Sequence, residues 1–234
     1  MIPRRTDQID TIASVLTEAF TGDPFMMWVF DDPDTHVASL ATWWSFMTAG
    51  APEGAEFWQG DDTTADPTAA SVTTSAMWYP PRLSRDEPGA ARQHGDRASR
   101  AHDDDEGAAN GETDVVTDAD EDPNPFVEMM AALVGDRLPE VLTMFAQIVN
   151  AHPDQPHWYL AAVGTRVVAQ GRGHGQRVLQ PMLDRCDEQG LAAYLESSNP
   201  RNVPFYHRLG FEITGELYTP DDAAVMTLMQ RRPR

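Results

Sequence analysis

Hydrophobic and polar positions along the second half of the chain follow two periods, which predict a strand, a helix and another strand. Residues 158–164 form an apolar run typical of a strand, and residues 192–196 form a second run typical of a buried strand. Between the two runs, apolar residues recur on one helical face. That face comprises Val178, Leu179, Met182, Leu183 and Cys186. We infer that the chain is organised around the stretch from 158 to 211.

The rest of the pattern predicts further elements on both sides of this stretch. A helix is predicted over residues 6–20 by its apolar face, whereas residues 21–30 are interpreted as an aromatic loop. Asp32 is a predicted N-cap for a second helix, with Pro33 in the first turn. A strand over residues 1–5 is expected to be weak, because this segment is short and contains a proline. Strands are also predicted at 55–60, 69–81, 211–217 and 223–230, and helices at 126–134, 138–150 and 200–209.

Residues 82–124 differ from their surroundings in composition. They hold few apolar residues and contain acidic runs such as AHDDDEG and TDADEDPNP, which cannot form a packed core. We interpret them as a disordered surface insertion in a single domain that spans residues 1–234, and a partner-binding acidic segment is the alternative. The histidines and aspartates of HGDRASRAHDDDE lack a metal-ligand framework, so no metal site is predicted.

A glycine-rich loop, QGRGHG at residues 170–175, precedes the central helix. Three glycines within five residues allow tight turns and bring backbone N–H groups close to a ligand. Because the loop leads into a helix N-terminus, it is predicted to bind an anion such as a phosphate. A Walker A loop is excluded because the chain has no lysine. A dinucleotide-binding turn is disfavoured, since the glycine spacing differs and residues 165–170 separate the glycines from the preceding strand.

A second motif follows the central helix, and the two motifs together resemble the GNAT acetyltransferase superfamily. The acyl-CoA loop of that family reads Gln/Arg-x-x-Gly-x-Gly/Ala, and its second motif is an Asn, then a Tyr, then Gly-Phe. The matching positions are Gln170, Gly173 and Gly175, followed by Asn199, Tyr206, Gly210 and Phe211. The runs AFTGDPFMMWVFDDPDTH, LESS and PRNVPFYHRLGF are similar to the puromycin N-acetyltransferase-like branch. The resemblance implies an α/β fold, the GNAT acyl-CoA N-acyltransferase fold, with a mixed, splayed central sheet flanked by helices.

The same resemblance implies where acetyl-CoA, the co-substrate, would bind. Its pyrophosphate is expected on the amides of the glycine loop, and its pantetheine arm on the strand backbone at 162–165, where this strand splays from the next. Arg172 and Arg177 are near enough in sequence to add charged contacts. The predicted acetyl-CoA-binding residues are Ala162, Val163, Gly164, Thr165, Gln170, Gly171, Arg172, Gly173, His174, Gly175, Gln176, Asn199, Asn202 and Tyr206.

Tyr206 and Glu196 are the predicted catalytic residues. Tyr206 matches the general acid of the family, and a phenol that stays protonated at neutral pH can protonate the departing thiolate. The alternative for Tyr206 is packing against the co-substrate without proton transfer. Glu196 is predicted to deprotonate the amine directly or through water, and its alternative is to orient substrate or cap the next helix. Asn199 and Asn202 either hydrogen-bond the pantetheine or cap that helix.

Several other residues have a structural interpretation. In GNAT proteins the first helix pair and its loop form one wall of the acceptor pocket, but we expect the aromatic residues of these segments to be core rather than lining. These residues are Phe25, Trp28, Trp43 and Phe46. Cys186 lies on the apolar helical face and is expected to be core, so direct transfer without an acyl-enzyme is predicted. His207 is expected to face outward.

Composition restricts the partners. The net charge of −20 argues against nucleic acid, and no apolar run has the length of a membrane span. The single cysteine suits a reducing cytoplasm. The predicted function is acetyl-CoA-dependent N-acetylation of a small-molecule primary amine, with an antibiotic-like acceptor suggested by the branch. The alternative is a non-catalytic acyl-CoA-binding sensor or scaffold that uses the acidic insertion for a partner. The oligomeric state is left open, a homodimer included.

Overall fold

The computed structural model describes residues 1–62, 71–81 and 124–234. Its strands are β1 (Pro3–Thr6), β2 (Glu56–Asp62), β3 (Ser71–Tyr79), β4 (His157–Thr165), β5 (Ala192–Ser197), β6 (Glu212–Tyr218) and β7 (Val225–Arg231). Its α-helices are α1 (Ile9–Phe20), α2 (Pro24–Val29), α3 (His36–Ala49), α4 (Pro125–Val134), α5 (Leu138–Asn150), α6 (His174–Gln189) and α7 (Val203–Arg208). The predicted insertion at 82–124 lies outside the described residues except for Asn124, whose side chain caps α4. None of the described helices is long and apolar enough to cross a membrane.

The described strands form one sheet in the order β1–β2–β3–β4–β5–β7–β6. All neighbouring strands are antiparallel except β4 and β5, which are parallel. This parallel pairing extends only from His157 opposite Ala192 to Tyr159 opposite Tyr194. Beyond these residues the two strands diverge toward their carboxyl ends. The structure therefore confirms the predicted mixed, splayed sheet flanked by helices.

A bulge in β4 accompanies the divergence. Met77 of β3 lies opposite Ala162, but the next residue, Trp78, lies opposite Leu160, so Ala161 is an extra residue in β4. Leu160 packs in an apolar cluster with α6, whereas Ala162 packs in a cluster with α1. Both are even-numbered residues, so the bulge reverses the faces toward which the side chains of β4 point. A bulge also bends the strand that contains it.

Two apolar clusters cover the two faces of the sheet. Consecutive residues of β3 alternate between them, because Met77 belongs to one cluster and Trp78 to the other. Helices α1 to α5 cover the first face, with Leu16 and Met144 fully buried or nearly so. Helices α6 and α7 cover the second face, where Leu179 is fully buried. Each large apolar side chain stabilises the fold by about 1.5–3 kcal/mol on burial, so packing from both sides holds the diverging strands in place.

The segment interpreted as an aromatic loop contains α2, so that interpretation is wrong. The Asp23 carboxylate accepts hydrogen bonds from the N–H groups of Phe25 and Met26, both at 3.1 Å. Pro24 occupies the first helical position, where its missing N–H and fixed φ suit a helix start. The six residues of α2 are PFMMWV. Since they are apolar on all sides, they show no helical period, and the cap is the feature that marks the helix.

The helix predicted to be capped by Asp32 begins at His36, which is also a correction. The Asp32 carboxylate instead closes a turn by accepting from the Asp34 N–H and the Thr35 hydroxyl. The ring of His36 is buried, and its Nδ1 lies 2.8 Å from the carbonyl oxygen of Phe30. The predicted weak N-terminal strand is present as β1, where Pro3 is tolerated at the edge of the sheet.

Candidate active site

The divergence of β4 and β5 opens the sheet beside the glycine loop. The backbone of β4 from 160 to 165 pairs with β3 on one side and with no described strand on the other. The glycine loop follows the end of β4, and Glu196 lies near the end of β5. Phe205 of α7 connects the two motifs, because a Cβ built on Gly175 would lie 3.4 Å from its ring atom Cζ. The structure thus brings the two sequence motifs together at one opening.

The glycine loop presents backbone N–H groups at the start of α6. Gly171 and Gly173 both have a φ of 74°, the left-handed region that glycine adopts without strain. A Cβ added at either position would meet no heavy atom within 4 Å. Arg177 donates the first helical hydrogen bond back to Gly173, at 3.3 Å. The N–H groups that precede Arg177 in α6 therefore point out of the helix, where its dipole favours an anion.

The end of β4 is fixed by contacts that the sequence analysis did not identify. The Arg166 N–H donates to the Thr73 carbonyl at 2.8 Å, and its side chain forms an ion pair with Glu18 of α1. Glu18 also accepts from the N–H of Val167 at 3.1 Å. The Gln170 side chain donates to the Thr165 carbonyl at 3.0 Å. The loop is thereby anchored to α1 and β3 before its glycines begin.

Several predicted binding residues have side chains that serve the fold. The His174 ring is buried, with its Nδ1 at 3.3 Å from the Thr73 hydroxyl, so only its backbone faces the loop. Gly164 lies under α1, where an added Cβ would be 2.7 Å from that of Ala19. Ala162 is buried in the cluster beneath α1, and Val163 packs against the cluster beneath α6. Four side chains in or directly after the loop are exposed beside the glycines: Gln170, Arg172, Gln176 and Arg177.

The two asparagines of the second motif differ in their contacts. The Asn199 side chain accepts from the N–H of Arg201 at 3.0 Å and caps the 3-10 turn at Pro200–Asn202. Asn202 precedes α7 and makes no capping hydrogen bond through its side chain. The structure therefore supports the capping role for Asn199. His207, on α7, is exposed as expected.

Tyr206 is buried in α7, beside the opening. Its ring packs edge-on against Phe205 and Phe211, with ring centroids 5.1 and 6.0 Å away. Burial raises the pKa of Tyr206 well above its ordinary value, and the nearby charge of Asp23 raises it further. The phenol is therefore protonated at neutral pH.

Asp23 connects α2 to the loop after β5, and sequence reasoning missed it as a site residue. Besides capping α2, its carboxylate accepts a hydrogen bond from the Ser198 hydroxyl at 2.6 Å. Burial raises the pKa of Asp23, while the hydrogen bonds from Ser198 and the α2 backbone oppose that shift. The Asp-Pro pair at residues 23–24 was the available signal, since Asp followed by Pro is a typical helix start.

Glu196 extends from β5 into a cluster of aromatic and histidine rings. Its side chain is 3% exposed, and its Oε1 lies 3.2 Å from His152 Nε2, though that contact is not a well-directed hydrogen bond. Burial raises the pKa values of Tyr159 and Tyr194, and the charge and hydrogen bonding of Glu196 add to both shifts. Oε1 is accordingly a buried acceptor that lacks a directed donor among the described residues. A cationic or N–H-bearing group would satisfy it.

The remaining predicted core residues are buried as expected, except for Phe46. Phe25, Trp28 and Trp43 are at most 6% exposed, whereas Phe46 is half-buried. Cys186 is fully buried, and burial raises its pKa to about 12. A thiol in that state is a poor nucleophile. No group of three His, Cys, Asp or Glu side chains in the described ranges is arranged to hold a metal ion.

A mixed sheet opened between two parallel strands, with a glycine loop at the opening, is the fold class of the GNAT acetyltransferases. The sequence profile described as the acetyltransferase (GNAT) family matches residues 84–211. The chain therefore belongs to the GNAT acetyltransferase family. The matched span begins inside the predicted acidic insertion and includes both sequence motifs.

Individual proteins that match the chain are also acetyltransferases, but each match covers a smaller part of the chain. An uncharacterized N-acetyltransferase of Schizosaccharomyces pombe is 38% identical over 82 residues, which are 34% of this chain and 33% of that protein. An L-methionine sulfoximine/L-methionine sulfone acetyltransferase of Pseudomonas aeruginosa is 39% identical over 51 residues, 20% of this chain and 30% of that protein. The chain thus matches about a third of the length of these curated relatives.

A solved structure supports the fold over the whole chain. It is described as histone acetyltransferase HPA2 and related acetyltransferase from Corynebacterium glutamicum, and its TM-score is 0.64. The identity is 21%, and the match covers 100% of this chain and 96% of that one. At this identity the comparison establishes the shared fold alone.

Proposed function

We propose that this protein transfers the acetyl group of acetyl-CoA to the primary amine of a small molecule. The observation that carries the proposal is the opening between β4 and β5, which has the N–H groups at the start of α6 beyond the end of β4. Glu196 belongs to β5, and Tyr206 belongs to α7, the helix that follows β5. The N–H groups suit a diphosphate, and the two side chains provide a carboxylate and a protonated phenol for the two proton transfers of amide formation.

The glycine loop fits the diphosphate of CoA. Its two left-handed glycines leave space that any other residue would fill with a Cβ. The exposed side chains of Arg172 and Arg177 are placed on the same loop and would add charged contacts. The pantetheine arm would follow the β4 backbone at 162–165, on the side that faces the opening. When bound, acetyl-CoA supplies an acetyl group activated as a thioester.

Glu196 and Tyr206 supply the proposed acid–base chemistry. A primary amine is mostly protonated in neutral water, so it must lose a proton before it can attack a carbonyl carbon. Glu196 is the proposed acceptor of that proton, directly or through water. Tyr206 is the proposed donor to the departing thiolate, and burial keeps its proton in place until then. Because Cys186 is buried, we propose direct transfer without an acyl-enzyme.

The acceptor is proposed to be a small cationic amine. The Glu196 carboxylate is buried with an unsatisfied oxygen, and the whole chain carries a net charge of −20, which attracts cations. The Pseudomonas relative is named for methionine sulfoximine and methionine sulfone, both of which carry a primary amine. An antibiotic-like acceptor of the puromycin type and a cytoplasmic location remain predictions.

An acceptor screen tests the proposal. The full chain is incubated with acetyl-CoA and a panel of amines that includes puromycin and methionine sulfone, and free CoA thiol is measured. We expect acceptor-dependent thiol release with at least one amine and an N-acetylated product by mass spectrometry. Tight acetyl-CoA binding by calorimetry without turnover on any amine would favour the alternative, a non-catalytic acyl-CoA sensor. Absence of acetyl-CoA binding would contradict both.

Substituting Glu196 tests its proposed role as the base. Glu196→Gln keeps the shape of the side chain and removes its proton-accepting charge, so kcat should fall by about 10²–10⁴-fold at neutral pH. The defect should shrink as the pH approaches the pKa of the acceptor amine, because less deprotonation is then needed. A defect that is constant with pH would instead indicate that Glu196 orients the substrate.

A further inference from the structure

A line of polar groups leads away from Glu196 and is not used by the function proposed above. The Nε2 atom of His152 lies 3.2 Å from Glu196 Oε1. Its Nδ1 lies 3.2 Å from Nε2 of His157, whose own Nδ1 lies 2.8 Å from the carbonyl oxygen of Gln155. His152 and Gln155 belong to the connection between α5 and β4, and His157 is the first residue of β4. Three consecutive short contacts therefore connect the buried carboxylate to an exposed turn.

If both rings are neutral, the hydrogen-bonding capacity of these groups fixes their tautomers. A carbonyl oxygen can only accept, so Nδ1 of His157 must carry a hydrogen. In a neutral imidazole the other nitrogen is then bare, and Nε2 of His157 accepts from the Nδ1–H of His152. A neutral His152 with its hydrogen on Nδ1 has a bare Nε2. That bare nitrogen is the atom that faces Glu196.

The bare nitrogen of His152 and the carboxylate oxygen of Glu196 are 3.2 Å apart, close enough for one proton to lie between them. Without the proton, two lone pairs face each other at a site where only 3% of the Glu196 side chain is exposed to water. With the proton, the same contact becomes either an imidazolium–carboxylate pair or a carboxylic acid facing imidazole. The other titratable groups near the pair are Tyr159 and Tyr194, and the pKa of each is raised, so both remain neutral donors. Tyr79 packs against Tyr159 at a ring distance of 5.8 Å.

We infer that His152 is a positioning residue that shares with Glu196 the proton taken from the amine, and that His157 acts by setting the tautomer of His152. The inference rests on the proposed function, in which Glu196 is the base. His152 does not need to contact the substrate, because it acts through Glu196. This role explains why the buried carboxylate of Glu196 faces His152, whose other nitrogen, Nδ1, already contacts His157.

With Glu196 and His152 as the proton acceptor, every proton in the reaction is accounted for. The substrate ammonium transfers one proton to the pair formed by the Glu196 carboxylate and the His152 ring. The amine nitrogen then forms a bond to the acetyl carbon, and the bond from that carbon to sulfur breaks. The sulfur receives the proton of Tyr206, and the second proton lost by the nitrogen restores the phenol. The proton held by the pair passes to water, so each turnover releases one proton from an ammonium substrate.

Nuclear magnetic resonance of the unmodified protein tests the tautomers without any acceptor. Two-bond proton–nitrogen correlations distinguish imidazole tautomers, and spectra of His152→Gln and His157→Gln assign the signals. We expect His157 with its hydrogen on Nδ1 and His152 with a hydrogen on Nδ1. His157 with its hydrogen on Nε2, or His152 with a bare Nδ1, would overturn the inference. Because the measurement needs no turnover, it tests the tautomers on which the inference depends even if no amine is acetylated.

Kinetics test the consequence for catalysis. His152→Gln should lower kcat by about 10–100-fold, the usual cost of losing a group that orients or tunes a reacting one, with KM for acetyl-CoA within about twofold. His207→Gln, at an exposed position of α7, is the matched control and should keep the kcat of the unmodified protein. The inference would be contradicted if kcat in His152→Gln were unchanged. It would also be contradicted if KM rose and the melting temperature fell together with kcat, because the ring would then only fill space.

A pair of variants at position 157 separates tautomer control from packing. The side-chain oxygen of His157→Gln can still accept from the Nδ1–H of His152, whereas His157→Leu has no acceptor. We expect kcat near that of the unmodified protein for the glutamine variant and about a tenfold loss for the leucine variant. Equal kcat values in the two variants, at equal melting temperatures, would contradict the role assigned to His157.

Discussion

The two strands that bound the opening carry different kinds of chemistry. The β4 side offers backbone: glycines in the left-handed region, N–H groups at the start of α6 and a strand edge that pairs with no other described strand. The β5 side offers single atoms of buried side chains, namely the Glu196 carboxylate and the Tyr206 phenol. We therefore expect function on the β4 side to depend on chain conformation, and function on the β5 side to depend on individual functional groups. Substitutions on the β5 side should therefore change mainly kcat, and substitutions on the β4 side should change mainly acetyl-CoA affinity and stability.

The largest effect is expected on the β5 side, from Tyr206→Phe. This change keeps the ring and its packing but deletes the hydroxyl, so kcat should fall by about 10²–10⁴-fold while acetyl-CoA affinity changes little. Tyr218→Phe, on the exposed strand β6, is the control and should leave kcat unchanged. Because the pKa of Tyr206 is raised, the acid form persists as pH rises, and the unmodified protein should not lose this group up to about pH 10. Full turnover in Tyr206→Phe, where chemistry limits the rate, would remove the acid role.

A smaller effect is expected on the β4 side, from Gly173→Ala compared with Gly190→Ala. Both glycines have a positive φ and open space for a Cβ, and they lie at opposite ends of α6. Each variant should lose about 1–2 kcal/mol of unfolding free energy through backbone strain. Only Gly173→Ala should weaken acetyl-CoA binding, by about 10–100-fold, since its methyl group occupies the anion site. Equal affinities by calorimetry would mean that the loop does not bind the diphosphate.

Beneath the β4 side, Gly164→Ala tests whether the strand depends on close packing with α1. An added Cβ would lie 2.7 Å from the Cβ of Ala19 and 3.1 Å from Leu16 Cδ2, so the helix must move. Unfolding free energy measured with denaturant should fall by about 1–3 kcal/mol. Gly22→Ala, where a Cβ would meet nothing within 4 Å, is the control and should change it by less than about 0.5 kcal/mol. Similar losses in both variants would contradict the packing argument.

The smallest effect is expected from the acidic segment, which belongs to neither strand of the opening. Replacing residues 84–122 with a short Gly/Ser linker should leave the melting temperature and acetyl-CoA affinity almost unchanged, because the acidic sequence has few residues that can be buried. The family match begins at residue 84, so this variant also tests whether that part of the matched span is needed for folding. Insoluble protein or a large fall in melting temperature would show that the segment is structural.

The same difference between backbone and side chains explains what the sequence could predict. The glycine loop and the helices at 125–150 were predictable, because glycine spacing and helical period are local features of the chain. The proximity of His152 to Glu196 was not, since it requires knowing that β4 and β5 pair in parallel and in which register. The bulge at Ala161 has no sequence signal in an apolar run, yet it decides which β4 side chains face α1.

The hydrogen bond between Ser198 and Asp23 bears on how selective this protein can be. One carboxylate holds both the start of α2 and the segment after β5, so α2 cannot swing outward without breaking either the hydrogen bond to Ser198 or the cap on Phe25 and Met26. If α2 forms the acceptor wall, as in the family, that wall is rigid in the absence of substrate. A rigid wall discriminates among amines by exclusion, so the acceptor range should be narrow, and a tight-fitting amine should bind without an entropic cost for ordering α2.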